Sequence, residues 1–271
     1  MCDTSNLYDS LEKDCLEALR RRGSTITKLH SHQLTAVRKL LDDKTVIQRV
    51  RTGGGKTLVA ILMILLPIEF PDKYSAPQST LVFSPTVALL LDTKRRFENY
   101  GILCWGSSSR EMANPHCGGA SSSNSAFVLN APDETTSSEI TAAVAILVTI
   151  EFWDGESRAA QSAREKIADS ASIFIWIDEA ITAIRTKDTY RPAQEGLGDI
   201  PRIYIDSPCL LSDGTWTENL VIEGRSFFKV PLAEVVQTPV DRENLKFRRL
   251  TANSWSEAKF CVYTKTNVSI C

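Results

Sequence analysis

The feature that most limits the fold is a run of three glycines followed by lysine and threonine, Thr52-Gly53-Gly54-Gly55-Lys56-Thr57. The stretch Val46-Ile47-Gln48-Arg49-Val50 predicts a β-strand directly before it, and the pattern from Lys56 to Leu66 predicts a helix directly after it. Glycines let the main chain curve closely around an anion with its N–H groups pointing inward. The positive end of the helix then faces the same anion. The run therefore predicts a phosphate-binding loop.

Each residue of this loop has a chemical use towards a nucleoside triphosphate, of which ATP is the expected one. Thr52 and the glycines 53–55 would wrap the phosphates, and Lys56 would reach the β- and γ-phosphates. The Thr57 hydroxyl would be a ligand to Mg²⁺. The full-length pattern has a further glycine where this chain has Val50. A glycine-rich turn with a chance lysine is the alternative interpretation, and the strand–loop–helix context favours phosphate binding.

An acidic pair, Asp178-Glu179, follows the continuous apolar strand predicted over 173–177. The carboxyl ends of the strands are where α/β sheets bind ligands. We expect Asp178 to hold Mg²⁺ and Glu179 to orient and activate the water that attacks the γ-phosphate. An acidic strand end by itself is more often a helix start, but the glycine loop upstream favours the catalytic interpretation.

Strand-like and helix-like segments alternate through most of the chain, and the strands are short and almost entirely apolar. This pattern predicts an α/β fold with a mostly parallel sheet covered by helices on both faces. The predicted strands are 46–50, 80–84, 145–149, 173–177 and 202–205, and the predicted helices are 7–22, 31–42, 56–66, 86–99 and 157–169. The stretch 106–139, rich in Ser, Asn, Gly and Pro, predicts a long surface excursion.

Composition limits the partners and the compartment. The formal charge is −2, from 31 basic and 33 acidic residues, so nucleic-acid binding would need local basic patches. Seven cysteines form no C-x-x-C pair, which is typical of reduced thiols. The longest apolar run, Leu58 to Pro67, is about half of what a membrane span needs. No signal peptide is indicated. We expect an intracellular protein without a membrane partner, nuclear if its source is eukaryotic.

Gln33 lies on the predicted helix before the glycine loop. A glutamine amide both donates and accepts hydrogen bonds, so it can read the edge of an adenine in a bidentate way. Most helix glutamines are surface residues, and only the position of Gln33 favours this role.

Taken together, these motifs resemble the first RecA-like lobe of superfamily 2 helicases, and in particular the RecQ family of DNA helicases. The similarity covers roughly residues 10–250. It rests on Gln33, on the loop 52–58, on segments 81–90 and 99–102, on the acidic box 178–180 and on Tyr190-Arg191-Pro192.

The resemblance implies a RecA-like P-loop NTPase fold and an ATP-hydrolysing lobe of a 3′–5′ DNA helicase. Single-stranded or partly duplex DNA would be contacted near Ser84 and Pro85 and near Tyr190 and Arg191. It also implies a division into N-terminal helices with the glutamine motif, an ATP-binding domain, and a linker that runs into a second lobe. The corresponding ranges are 1–45, 46–235 and 236–271.

Four positions depart from the RecQ pattern. The acidic box ends in Ile181 instead of histidine, and its side chain cannot pass a hydrogen bond from nucleotide to nucleic acid. In the family's DNA-sensing loop, to which Tyr190-Arg191-Pro192 corresponds, the Trp-Gly-His part is replaced by Thr186-Lys187-Asp188. The Thr-Ala-Thr segment, which links hydrolysis to strand movement, is assigned to Asp206-Ser207-Pro208. The arginine expected before Gln33 is His30.

The segment 241–245 resembles the Arg-x-Asn-Leu that opens the second lobe in this family, and only 26 residues follow it. That lobe should supply arginines that stabilise charge on the γ-phosphate. We therefore expect a second RecA-like lobe to be supplied elsewhere and unwinding by this chain alone to be weak. Two alternatives remain open: a nucleotide-dependent nucleic-acid-binding or interaction module with little turnover, and an RNA helicase lobe of the same superfamily.

Overall fold

The chain forms two units in a computed structural model, which describes residues 4–75, 77–107, 144–186 and 193–238 and three short strand pieces at 245–246, 262–264 and 269–270. The first unit runs from Met1 to Thr238 and the second from Pro239 to Cys271. The described part of the second unit is a small antiparallel sheet of β8 (Leu245–Lys246), β9 (Val262–Thr264) and β10 (Ser269–Ile270).

A seven-stranded sheet in which every strand pair is parallel forms the centre of the first unit. Its order is β3-β4-β2-β5-β6-β1-β7. The strands are β1 (Val46–Arg49), β2 (Ser79–Phe83), β3 (Cys104–Ser107), β4 (Ala145–Val148), β5 (Ile173–Asp178), β6 (Cys209–Asp213) and β7 (Glu234–Gln237). The predicted parallel α/β architecture is confirmed. Since β6 pairs with both β1 and β5, it separates the strand before the glycine loop from the strand before the acidic pair.

Helices cover both faces of this sheet. Those of the first face are α1 (Thr4–Arg21), α2 (Ser31–Leu41), α3 (Lys56–Glu69) and α4 (Val87–Glu98). Those assigned to the second face are α5 (Ile150–Trp153), α6 (Arg158–Ala168), α7 (Ala180–Thr186), α8 (Gln194–Leu197), α9 (Ile200–Ile203) and α10 (Glu218–Phe227). Within the part of the chain that the structure describes, none of the helices combines the length and apolarity needed to span a bilayer.

The apolar runs of the central strands follow from burial on both faces. In β5, Phe174 and Trp176 pack into the core under α1–α4, while Ile175 and Ile177 pack into the core on the opposite face. Side chains of a strand alternate between faces, so a strand covered on both sides must be apolar at every position. This is why no alternation with polar residues is visible in the sequence.

The strand predicted over 202–205 is wrong. Residues 202 and 203 are the end of the short helix α9 (Ile200–Ile203), and 204 and 205 lie in the turn after it. The strand that enters the sheet is β6, which begins at Cys209. Ile203 and Ile205 are 60% and 78% exposed, so the β-branched pattern is not buried in a sheet. Pro201 lies in the first turn of α9, where a proline needs no amide partner. Of the surface excursion predicted over 106–139, residues 108–139 lie outside the described residues.

The buried amide of Gln48, in the middle of β1, leads to a prediction about stability. Gln48 is 0% exposed, and neither polar atom of its side chain has a hydrogen-bond partner among the described residues. A buried amide without partners costs about 1–3 kcal/mol. We therefore expect Gln48→Leu to raise the free energy of unfolding, measured with urea, by about 1–3 kcal/mol.

Gln161→Leu on the exposed surface of α6 is the matched control, and we expect it to change the free energy of unfolding by less than about 0.5 kcal/mol. A loss of stability in Gln48→Leu would contradict the prediction, since it would mean that the amide is hydrogen-bonded in solution.

Candidate nucleotide site

The glycine loop between β1 and α3 has a backbone that requires glycine at two positions. Gly53 and Gly55 have φ angles of +81° and +78°, a left-handed region that other residues occupy at a cost. Gly54 is restricted by space, because a Cβ there would lie 2.5 Å from Cγ1 of Val50. The loop therefore bends as a phosphate-binding loop does, and Lys56 and Thr57 follow it in the first turn of α3.

Two side chains of α2 contact the backbone of this loop. The Gln33 amide donates to the carbonyl oxygen of Gly55 at 3.2 Å, and a ring nitrogen of His32 lies 3.0 Å from the carbonyl oxygen of Gly54. The Gln33 carbonyl accepts from the backbone N–H of His30 at 2.9 Å. Gln33 also lines a cavity of about 480 Å³ beside the loop. Reading an adenine edge would require the Gln33 amide to exchange these backbone partners, and the base-reading role stays a prediction.

The acidic pair lies at the carboxyl end of β5, with Asp178 as the last residue of the strand and Glu179 in the turn before α7. The Ser212 hydroxyl, from the end of β6, donates to the Asp178 carboxylate at 2.8 Å and accepts from the Trp176 indole N–H at 2.8 Å. Burial raises the pKa of Asp178, while the Ser212 hydrogen bond and the charge of Lys56 oppose that rise. The charge of the loop lysine thus acts on both carboxyl groups of the acidic pair, and their joint role in one nucleotide site stays a prediction.

Glu179, like Asp178, is partly buried. Burial raises the pKa of Glu179, and the neighbouring carboxyl groups of Asp213 and Asp178 raise it further, while Lys56 lowers it. A carboxylate with a raised pKa is a stronger base, which suits a group that withdraws a proton from water.

The oxygen donors of this site fit Mg²⁺, which proteins usually hold through one or two carboxylates together with substrate phosphates. Asp178 supplies a partly buried carboxylate and Thr57 a hydroxyl. Among the residues that the structure describes, no group of three or more His, Cys, Asp and Glu side chains is arranged to hold a metal ion.

The end of β6 also belongs to this site and was not predicted from the sequence. Its residues Ser212, Asp213 and Gly214 lie between the glycine loop and the acidic pair. A Cβ on Gly214 would lie 3.1 Å from the Thr52 hydroxyl and 3.6 Å from Nζ of Lys56. The Thr-Ala-Thr segment, which links hydrolysis to strand movement in the RecQ family, was assigned to residues 206–208. This assignment is wrong, because those residues precede β6 and lie at its opposite end. The signal that could have located it is the apolar run 209–211 followed by polar turn residues.

The predicted nucleic-acid contacts are only partly described. Ser84 is 3% exposed and Pro85 is also buried, and both line a small cavity together with Asp178 and Glu179. Tyr190 and Arg191 lie outside the described residues. Contact of these four residues with nucleic acid stays a prediction.

Comparison with known families decides the assignment. The profile of the DEAD/DEAH box helicases matches residues 30–180, which is more than half of the chain and includes both the glycine loop and the acidic pair. The chain belongs to the DEAD/DEAH box helicase family. It therefore carries a helicase-type ATP-binding domain with a RecA-like fold. A comparison with curated proteins gives no match.

Solved helicase structures share this fold at low sequence identity. The DUF1998 helicase MrfA bound to DNA matches with a TM-score of 0.58 and 17% identity over 85% of this chain and 30% of that one. MrfA alone matches with a TM-score of 0.55 and 17% identity over 85% and 33% of the two chains. A hypothetical ATP-dependent RNA helicase from Sulfolobus tokodaii matches with a TM-score of 0.54 and 14% identity over 83% and 57%. This DEAD/DEAH chain thus spans 30% to 57% of the lengths of these proteins.

Proposed function

We propose that this chain is the ATP-binding and ATP-hydrolysing lobe of a RecQ-like 3′–5′ DNA helicase. The observation that carries the proposal is the meeting of Lys56, Asp178 and Glu179 at the carboxyl edge of one sheet, where the lysine charge acts on both carboxylates. The RecQ assignment is supported by the sequence motifs described above, and the choice of DNA is supported by the likeness to MrfA bound to DNA.

In this proposal the chain's own residues divide the work of hydrolysis. The glycine loop 52–55 wraps the phosphates with its backbone N–H groups, and Lys56 balances the charge of the β- and γ-phosphates. Thr57 and Asp178 would hold Mg²⁺, which neutralises charge on the phosphates when bound. Glu179 accepts a proton from the attacking water. Charge that develops on the γ-phosphate would be stabilised further by arginines of a second RecA-like lobe supplied elsewhere.

Two other functions have specific support. The side chain of Ile181 cannot pass a hydrogen bond towards nucleic acid, which favours a nucleotide-dependent binding module with little turnover. The likeness to the Sulfolobus tokodaii protein favours an RNA helicase lobe. Neither alternative changes the residues proposed for the nucleotide.

Hydrolysis of Mg²⁺-ATP measured without nucleic acid, with single-stranded DNA and with RNA of the same sequence tests the proposal. We expect slow basal hydrolysis that single-stranded DNA stimulates more than RNA does. Stronger stimulation by RNA would support the RNA alternative, because the 2′-hydroxyl is the local difference between the two strands. Binding of ATP without turnover would support the module. Absence of Mg²⁺-dependent ATP binding would overturn all three.

A further inference from the structure

The turn between β5 and α7 has a strained backbone. Glu179 has a φ angle of +50°, one of three positive φ values among the described residues other than glycine. For any residue other than glycine, this left-handed conformation costs free energy, and it persists only where the surroundings enforce it. Some contact must therefore hold the turn in this conformation. The conformation of the turn in turn fixes where the Glu179 carboxyl group lies.

A buried carboxylate on β6 supplies such a contact. Asp213 is 1% exposed, and its Oδ2 accepts a hydrogen bond from the backbone N–H of Ile181 at 3.1 Å. Its Oδ1 accepts from both the backbone N–H and the hydroxyl of Thr215, each at 2.8 Å. Hydrogen bonds to an ionised carboxylate are shorter and stronger than those between neutral groups. Asp213 therefore ties the first turn of α7 to the end of β6.

The residue that follows Asp213 contacts the glycine loop. Gly214, the next residue, packs so closely on Thr52 that a Cβ would lie 3.1 Å from the Thr52 hydroxyl and 3.3 Å from its backbone nitrogen. Because β6 lies between β1 and β5, the segment 212–215 contacts both the phosphate loop and the acidic pair. The carboxyl group of Asp213 also raises the pKa of Glu179.

We infer that Asp213 is a positioning residue for ATP hydrolysis, which holds the turn at Glu179 by binding the backbone of Ile181. The consequence of Asp213 for hydrolysis rests on the proposed function, whereas the effect of Asp213 on the turn does not. A role confined to general stability is the alternative, and the two differ in what a substitution changes.

Hydrogen–deuterium exchange of the amides in 179–186 tests the contact itself. In Asp213→Ala we expect these amides to exchange about tenfold to a hundredfold faster, because a hydrogen bond to a charged group is lost. Asp213→Asn should show a smaller increase, since the amide oxygen can still accept from Ile181. Thr215→Val is the control that leaves the Ile181 bond in place, and we expect exchange close to wild type. Unchanged exchange in Asp213→Ala would overturn the inference.

Single-turnover hydrolysis in a double-mutant cycle tests the consequence. We expect Asp213→Ala to slow hydrolysis about tenfold or more while the affinity for Mg²⁺-ATP stays within about twofold, and to cause no further loss when added to Glu179→Gln. Asp213→Asn should slow hydrolysis less, since it keeps an acceptor for the Ile181 N–H. Additive losses, or a parallel loss of affinity, would show a general structural role instead. A wild-type chain that does not hydrolyse ATP would refute the proposed function, and the exchange measurement would still decide whether Asp213 holds the turn.

Discussion

Replacing Lys56 with alanine is expected to weaken Mg²⁺-dependent ATP binding by about 30-fold to several-thousand-fold. Removing one member of a hydrogen-bonded charge pair costs about 2–5 kcal/mol, and each 1.4 kcal/mol is about tenfold in affinity. Lys56 is also the positive charge that opposes the rise in the pKa values of Asp178 and Glu179. Without it, the triphosphate would meet two carboxyl groups and no balancing charge from the loop.

Titration of the chain with ATP in an isothermal calorimeter, with and without Mg²⁺, measures this effect. Lys44→Ala is the matched control. Lys44 is exposed just before β1, so this substitution removes the same charge outside the site. We expect the control to bind ATP within about twofold of wild type, since surface charges contribute little. Equal affinities for wild type and Lys56→Ala would refute the assignment of the glycine loop to phosphate binding.

The parts of the site that the sequence predicted are those encoded in contiguous residues. The glycine loop needs a strand, three glycines and a helix in succession, and the acidic pair needs an apolar strand directly before it. Local patterns of this kind determine the backbone within a few residues. The predicted bounds of β1 and β5 differ from the observed ones by one residue each. The parallel sheet followed from the same apolar strands.

The end of β6 could not be recognised in this way, because its role depends on strand order. Ser212 and Asp213 act on the acidic pair only because β6 enters the sheet between β1 and β5. The apolar part of β6 is short, and the neighbouring segment 202–205 has a stronger β-branched pattern that competes with it. Tertiary packing decided between the two, as it commonly does for short strands.

Gln33 shows a different limit of sequence reasoning. Its position on the helix before the glycine loop was predicted correctly, whereas its hydrogen bonds to the backbone of His30 and Gly55 were not foreseen. The amide donates to the Gly55 carbonyl, and a Cβ on Gly55 would collide with the same amide. Which of several partners an amide selects depends on distances of a few tenths of an ångström, which spacing along the chain does not contain. In this structure Gln33 supports the loop that was predicted to be its neighbour.

Replacing Glu179 with glutamine is expected to separate binding of ATP from its hydrolysis. Glutamine has the same shape but cannot accept a proton from water at neutral pH, and loss of a general base lowers a rate by about 10²- to 10⁴-fold. The phosphate contacts of Lys56 and the carboxylate of Asp178 remain. We therefore expect single-turnover hydrolysis to fall by that factor while the affinity for Mg²⁺-ATP stays within about threefold. Glu165→Gln on the exposed surface of α6 is the control.

The same substitution should not destabilise the fold, and this distinguishes a catalytic carboxylate from a structural one. Burial and the nearby carboxyl groups of Asp213 and Asp178 raise the pKa of Glu179 above its ordinary value of 4.5. A carboxyl group with a raised pKa in the folded state contributes stability at low pH that is lost as the pH rises through that pKa. Glutamine carries no charge to lose, so we expect the melting temperature of Glu179→Gln to exceed that of wild type increasingly as the pH rises from 4 towards neutrality. A melting temperature that falls below wild type at neutral pH, together with unchanged hydrolysis, would mean that Glu179 holds the turn and does not act on water.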